Sequence, residues 1–139
     1  MNFKSIEDKI VCLLMKDGKK SVSQKLVHSS IEKASIQSEV SMVYLLKTAI
    51  SNIRPSIDAR SKKIGNSSYM IPYAITEKQS VGLAAKIFVN SARSRKEKKV
   101  QDKLVNEWID AFNNRGASVK KKNDIHKLAE TNKSFAFFR

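Results

Sequence analysis

The hydrophobic positions along the chain recur mostly at helical spacing. The first apolar stripe runs from Ile6 to Leu14 and ends at Asp17-Gly18, where glycine can adopt the left-handed conformation of a helix C-terminal cap. A second stripe begins after Ser21 or Ser23 and weakens in the polar stretch 35–38, which reads as a linker. The N-terminal part of the chain therefore predicts two amphipathic helices joined by a short turn.

The third stripe starts at Ser38, a good N-cap residue, and must end at Pro55, because proline does not continue a helix. The spacing then changes to alternation over about residues 56–75, with the turn-forming pair Gly65-Asn66 in the middle. This pattern predicts a β-hairpin with a basic outgoing strand and a returning strand that is apolar and aromatic on one face. Pro72 fits the returning strand only at an edge of a sheet.

Helical spacing resumes in three segments, from Val81 to Ala92, from Val100 to Phe112, and from about Ser118 to Ala129. Only four glycines and two prolines interrupt the chain, which favours long elements joined by few turns. The sequence therefore predicts a mainly α protein of about six helices, with one protruding β-hairpin between the third and fourth. We expect residues 1–139 to form a single domain.

The charge balance narrows the class of partner. The chain has 27 Lys and Arg against 13 Asp and Glu, giving a formal net charge of +14. Charge of one sign at this density destabilises a compact chain through self-repulsion, and a polyanion would relieve it. The cations are spread along nearly the whole chain, a distribution that favours nucleic acid over an acidic protein. No apolar run approaches the ~20 residues needed to span a bilayer, so no membrane span is expected.

Few residues could carry catalysis or bind a metal. The single cysteine, Cys12, lies in an apolar run, where a thiol is expected to be buried, and it excludes a disulfide within one chain. His28 and His126 lack partners at metal-ligand spacing and are interpreted as hydrogen-bonded structural or RNA-contacting residues. Gly18-Lys19-Lys20 lacks the other residues of a phosphate-binding loop. The sequence therefore predicts no enzyme activity, no cofactor and no metal site.

The basic residues instead gather at the predicted ends of elements. Loops and helix starts present flexible cations and backbone N–H groups to phosphates. Each cluster alone is often only a solvated surface, but four clusters at element ends indicate a nucleic-acid interface. The clusters are Lys19, Lys20 and Lys25; Arg54, Arg60, Lys62 and Lys63; Arg93, Arg95, Lys96, Lys98 and Lys99; and Arg115, Lys120, Lys121 and Lys122.

Four segments, in this order, resemble the ribosomal protein S-seven family. They are Gly18-Lys19-Lys20, Ile53-Arg54-Pro55, the hairpin tip from Ser61 to Tyr69, and the C-terminal segment from His126 to Ala136. The resemblance implies a bundle of six helices with a protruding hairpin. It also implies a structural constituent of the small ribosomal subunit, the primary binder of small-subunit ribosomal RNA, which organises the head domain and lines the exit-site tRNA and mRNA exit region.

The resemblance also implies roles for particular residues. The hairpin tip, Ile64, Gly65 and Asn66, would approach the exit-site tRNA or mRNA. Phe135, Phe137 and Phe138 would meet neighbouring head and platform proteins including S-eleven, although the residues alone leave core capping and base stacking open. No homo-oligomer is implied. The residues that would contact ribosomal RNA are Lys19, Lys20, Arg54, Arg60, Lys62, Lys63, Arg93, Arg95, Arg115, Lys120 and Lys121.

Two other functions and three locations stay open on the sequence. A basic helical DNA-binding module would read the major groove with Lys120, Lys121, Lys122, Asn123 and Lys127 of the sixth helix, although the hairpin counts against it. Protein binding through the terminal phenylalanines alone leaves the charge unexplained. Rich use of Lys, Asn, Ile and Ser suggests an A+T-rich genome, and the start of the chain lacks the arginine-rich arm usual in bacteria. We therefore expect a mitochondrial ribosome, with the bacterial cytoplasm or a plastid as alternatives.

Overall fold

The computed structural model describes residues 2–138, and the side chains of residues 2–136. The described residues form six α-helices and a two-stranded antiparallel sheet between the third and fourth helices, so the predicted fold class is confirmed. The elements are α1 Phe3–Leu14, α2 Lys20–Ser38, α3 Met42–Ile53, β1 Ile57–Ile64, β2 Ser67–Ala74, α4 Glu77–Arg93, α5 Val100–Phe112, α6 Ala117–Thr131 and a 3-10 helix Lys133–Phe138.

Predicted boundaries of the first three helices are wrong. Helix α1 ends at Leu14 with Met15 as its C-cap, and not at Gly18. Helix α2 begins at Lys20 and continues through residues 35–38, because Ser35 satisfies its hydroxyl on the helix itself, where Oγ donates to the Glu32 carbonyl at 2.7 Å. The helix ends where Glu39 adopts a left-handed conformation, with φ of 55°. The N-cap of α3 is Ser41 and not Ser38, since the Ser41 hydroxyl accepts a hydrogen bond from the amide of Tyr44.

Helices α1 to α5 share one hydrophobic core, and Trp108 of α5 lies at its centre. The Trp108 ring is fully buried, packs on Phe88 with centroids 4.0 Å apart, and donates through Nε1 to Ser30 Oγ at 3.2 Å. Cys12 was expected in this core and is exposed instead. Successive residues of a helix point about 100° apart. The inner face of α1 is formed by Ile6, Ile10 and Val11, so Cys12 falls on the outer face.

The hairpin has its base against α6 and its tip in solvent. Its register pairs Ile57 with Ala74 at the base and Ile64 with Ser67 beside a two-residue turn. Ile71 and Pro72 are buried, and the backbone amide of Ser56 donates to Nε2 of His126 at 3.2 Å. Both strands of a two-stranded sheet are edges, which accommodates the proline. Within the part of the chain that is described, no helix is long and apolar enough to span a membrane.

Candidate nucleic-acid interface

The start of α2 combines lysine side chains with an uncapped helix end. Lys19 occupies the N-cap position without a side-chain hydrogen bond, and Lys20 begins the helix. Both side chains are exposed, and neither pairs with a carboxylate of residues 2–136. The first amides of a helix carry a partial positive charge, so the two lysines and the helix end attract anions together.

The start of α6 also carries exposed lysines, but its first turn is already hydrogen-bonded by a side chain of α5. Gly116 takes the N-cap position with φ of 92°, and a Cβ there would lie 2.9 Å from Cβ of Asp110. Position 116 therefore requires glycine, because a side chain would strain the positive φ and would collide with Asp110. Lys120 and Lys121 follow in the first turns and are exposed, with no carboxylate partner in the described part of the chain.

The hairpin and the turn before it add four more of the predicted cations. Nη1 of Arg54 lies 3.3 Å from Glu77 in an exposed ion pair, and such pairs contribute only about 0–1 kcal/mol. The guanidinium of Arg60 lies 4.1 Å from the ring centroid of Tyr73, a cation–π contact that leaves the edge of the guanidinium exposed. Lys62 and Lys63 are exposed near the tip.

Arg93 and Arg95, predicted as a pair of RNA contacts, are held by the protein itself. Nη2 of Arg93 donates to the carbonyls of Leu13 and Leu14 at 2.9 and 3.3 Å. Since these carbonyls belong to the last turn of α1, Arg93 stabilises the negative end of that helix. Its side chain remains exposed, so part of its charge still faces solvent.

Arg95 binds three carboxylates. Nε lies 3.0 Å from Glu97, and Nη1 lies 2.8 Å from Glu107 and 2.9 Å from Asp110. Partial burial alone would lower the pKa of Arg95, but the hydrogen bonds to these carboxylates outweigh it and raise the pKa. Because its charge is already neutralised, Arg95 as a direct RNA contact stays a prediction that the geometry does not favour.

Glu107 was missed by sequence reasoning and joins α5 to α6. Its side chain is fully buried, and Oε1 accepts hydrogen bonds from both the amide and the hydroxyl of Ser118. Glu107 therefore caps the first turn of α6, which Gly116 cannot do. The available signal was an acid three residues after Leu104 and next to Trp108, on the face of α5 that was predicted to be buried.

The hairpin tip and the 3-10 helix carry the remaining predicted residues. Gly65 and Asn66 are exposed, Ile64 is half-buried, and Gly65 has φ of 62°. The half-buried Phe135 ring stacks on Tyr69 with centroids 4.7 Å apart, so it attaches the C-terminal segment to β2. The side chains of Phe137 and Phe138 lie outside the described residues.

The histidines have structural hydrogen bonds. His126 accepts from the backbone before β1, and Nδ1 of His28 lies 3.1 Å from Glu7. Across the described residues, no group of three or more His, Cys, Asp and Glu side chains could hold a metal ion. The arrangement as a whole presents exposed cations at two helix starts and along a hairpin, which is suited to binding a folded polyanion.

Comparisons with known proteins agree with this arrangement. The sequence profile of the family described as "Ribosomal protein S7p/S5e" matches residues 2–133. Small ribosomal subunit protein uS7 of Pelagibacter ubique (strain HTCC1062) is 38% identical over 135 residues, covering 97% of this chain and 86% of that protein. Small ribosomal subunit protein uS7 of Geotalea uraniireducens (strain Rf4) is 42% identical over 131 residues, covering 94% of this chain and 84% of that protein.

Proposed function

Because the chain belongs to the ribosomal protein S7p/S5e family, we propose that its exposed cations hold it on folded ribosomal RNA by neutralising phosphates at helix starts and along the hairpin. It is a structural protein of the small ribosomal subunit that binds ribosomal RNA and has no enzymatic activity. The observation that carries the proposal is the set of exposed lysines at the starts of α2 and α6 that pair with no carboxylate of residues 2–136.

The proposed contacts differ in how the protein holds them. The lysines at the helix starts can reach phosphates directly, whereas Arg54 would exchange the exposed Glu77, and Arg115 the half-buried Asp110, for a phosphate. We assign Arg95 a positioning role, since three carboxylates already surround it. The proposed contacts are Lys19, Lys20, Arg54, Arg60, Lys62, Lys63, Arg93, Arg115, Lys120 and Lys121.

Two further contacts are proposed, one at the tip of the hairpin and one at the C-terminal segment that packs on β2. The exposed tip at Ile64, Gly65 and Asn66 is proposed to approach the exit-site tRNA or mRNA, as the protein organises the head domain of the RNA. The segment with Phe135, Phe137 and Phe138 is proposed to meet head and platform proteins, including S-eleven. We also propose that residues 1–139 act as one domain, which the shared core of α1 to α5 supports.

The proposed location is a mitochondrial ribosome, with the bacterial cytoplasm or a plastid as the alternatives. The support is compositional, from the abundance of Lys, Asn, Ile and Ser. Immunodetection of the protein in purified mitochondria of its source organism, together with mapping of its gene, tests the location. A gene on a bacterial chromosome or in plastid DNA would contradict it.

The function is tested by competition binding at moderate salt. Purified protein is offered the head domain of small-subunit ribosomal RNA against duplex DNA of equal length and an unrelated structured RNA. We expect preference for the ribosomal RNA, and we expect the double substitution Lys120→Gln and Lys121→Gln to weaken it. Lys47→Gln, an exposed cation on α3 outside the proposed interface, is the matched control.

Each other result contradicts a specific part of the proposal. Equal affinity for all three competitors would mean a general polycation without recognition of folded ribosomal RNA. Tighter binding to duplex DNA would favour a basic helical DNA-binding module. An equal effect of Lys47→Gln would mean that the interface is not confined to the helix starts and the hairpin.

A further inference from the structure

An apolar groove of about 450 Å³ lies where four helices meet, beside the start of α2. Its walls come from the C-terminal ends of α1 and α4 and from the first turns of α2 and α5. Leu104 is buried in the floor and Leu26 is half-buried in a wall. Val22 and Val100 are 54% and 46% exposed at the mouth, an arrangement that leaves aliphatic surface in contact with water.

The rim of this groove is cationic. Lys16, Lys19, Arg93 and Lys103 contribute to the lining, and no residue of the lining is acidic. Arg93 is fixed by the end of α1, and Nζ of Lys103 donates to the Arg93 carbonyl at 3.3 Å. Lys16 and Lys19 are exposed and have no carboxylate partner in the described part of the chain, so their charges face the mouth unneutralised.

A ligand that matches the groove must have an apolar face next to a negative charge. An unpaired nucleotide has both, because its base faces are exposed and its phosphates lie on either side. The uncapped N-terminus of α2 adds its partial positive charge to the same rim, which favours a phosphate. A base packed against Val22 and Val100 would remove aliphatic area from water.

The geometry points to the following assignment: the groove between α1, α2, α4 and α5 receives an unpaired base of the bound RNA, while Lys16 and Lys19 bind its flanking phosphates. The assignment rests on the proposed function, since the RNA must first be a ligand. The lining contains no aromatic ring, and aliphatic contact does not read hydrogen-bonding edges. The groove therefore selects an unpaired nucleotide and not a particular base.

The test uses the full chain and the head-domain RNA, with affinity measured over a series of salt concentrations. Val22→Thr combined with Val100→Thr keeps the side-chain shape and replaces one methyl group at each position. We expect affinity to fall by about tenfold, with an unchanged slope of log affinity against log salt, because no phosphate contact is lost. Lys19→Gln should instead make the slope shallower. Ile36→Thr, at a side chain that is 70% exposed elsewhere on α2, is the matched control and should bind as the parent does.

The contrary outcomes are separable. Parent-like affinity of the double threonine variant, or a loss of affinity equal to that of Ile36→Thr, would overturn the assignment and leave the proposed function intact. If the double threonine variant binds RNA as the parent does but fails to enter reconstituted small subunits, the groove binds a protein partner. This result would also overturn the assignment. A parent protein that does not prefer the RNA would overturn both proposals.

A second measurement identifies the nucleotide directly. A photo-crosslinking amino acid in place of Val22 should crosslink to a nucleotide that is unpaired in the folded RNA. Crosslinks confined to paired nucleotides would overturn the assignment, because bases inside a helix do not expose their faces. Urea unfolding of each variant, expected within about 0.5 kcal/mol of the parent for these surface positions, verifies that the fold is retained.

Discussion

Glu107 and Arg95 form a partly buried ion pair that fixes the start of α6. Nη1 of Arg95 donates to Oε2 of Glu107 at 2.8 Å, and the other carboxylate oxygen holds Ser118 in the first turn of α6. Since the Glu107 side chain is fully buried, its charge depends on both partners for compensation. The direction in which α6 presents Lys120 and Lys121 is thus coupled to a carboxylate on α5.

Glu107→Gln should lower the free energy of unfolding by about 3 kcal/mol, because one partner of a buried pair is removed and the new amide donor faces another donor on Arg95. Urea unfolding measures the loss, and hydrogen exchange of the Ser118 amide should become faster. Glu130→Gln, at an exposed acid of α6, is the control and should stay within about 0.5 kcal/mol. A change for Glu107→Gln as small as that of the control would contradict the capping role.

Arg95→Gln should lower stability without changing the salt dependence of RNA binding, whereas Lys120→Gln should change the salt dependence without changing stability. Arg95→Gln should lower the free energy of unfolding by about 3 kcal/mol, because it leaves carboxylates unpaired, one of them buried. Lys120→Gln should leave stability unchanged and make the slope of log affinity against log salt shallower by about 0.7–0.9. The slope is measured under conditions where both variants are folded. The same loss of slope in Arg95→Gln would show that Arg95 contacts a phosphate directly.

Phe135→Leu should loosen the hairpin from the C-terminal segment, since it removes the ring that stacks on Tyr69. An aromatic pair contributes about 0.5–1.5 kcal/mol beyond its burial. Hydrogen exchange of the backbone amides of β2 should therefore become faster by the factor that corresponds to this loss of free energy. Tyr44→Leu breaks a different aromatic contact, with Phe112 at 5.9 Å, and serves as the control. Unchanged exchange in β2 of Phe135→Leu would mean that the stack does not hold the hairpin.

Glu97 should make a contribution to stability that disappears in acid. The hydrogen bond from Asn106, then a backbone hydrogen bond, and then the hydrogen bond and charge of Arg95 outweigh the effect of burial and lower the pKa of Glu97 from 4.5 to about 2. A lowered pKa in the folded state means that the contribution is complete above about pH 4.5 and is lost as the pH falls towards about 2. The difference in urea midpoint between the parent and Glu97→Gln should shrink over that interval. A difference that is constant from pH 6 to pH 2 would contradict the prediction.

Local patterns in the sequence were sufficient for most of the fold. The six helices follow from apolar spacing, and the hairpin follows from alternation around Gly65-Asn66, because both signals depend on neighbours within a few residues. Cys12 was misjudged because an apolar run does not show which side of a helix faces the core. The end of α2 was misjudged because a serine such as Ser35, which bonds to its own helix, reads as part of a linker in the sequence.

The candidate interface was only partly predictable. Charge clusters at element ends can be read from the sequence, but the carboxylates that neutralise a given cation cannot. Arg95 meets Glu107 and Asp110, which are 12 and 15 residues away along the chain. Only the packing of α5 against the α4–α5 connection brings them together. The groove beside Val22 is likewise formed by four helices, so no single segment of sequence indicates it.

The position of Trp108 has a consequence for the order of events during synthesis. This side chain fills the space between α2 and α4, through contacts with Ser30 and Phe88, yet it lies on α5 and is synthesised after both of those helices. A chain interrupted before α5 therefore lacks the centre of its own core, and it also lacks the lysine-bearing start of α6. Truncated products of translation should be poor competitors for RNA and good substrates for proteases, which confines assembly to chains that extend through α5 and α6.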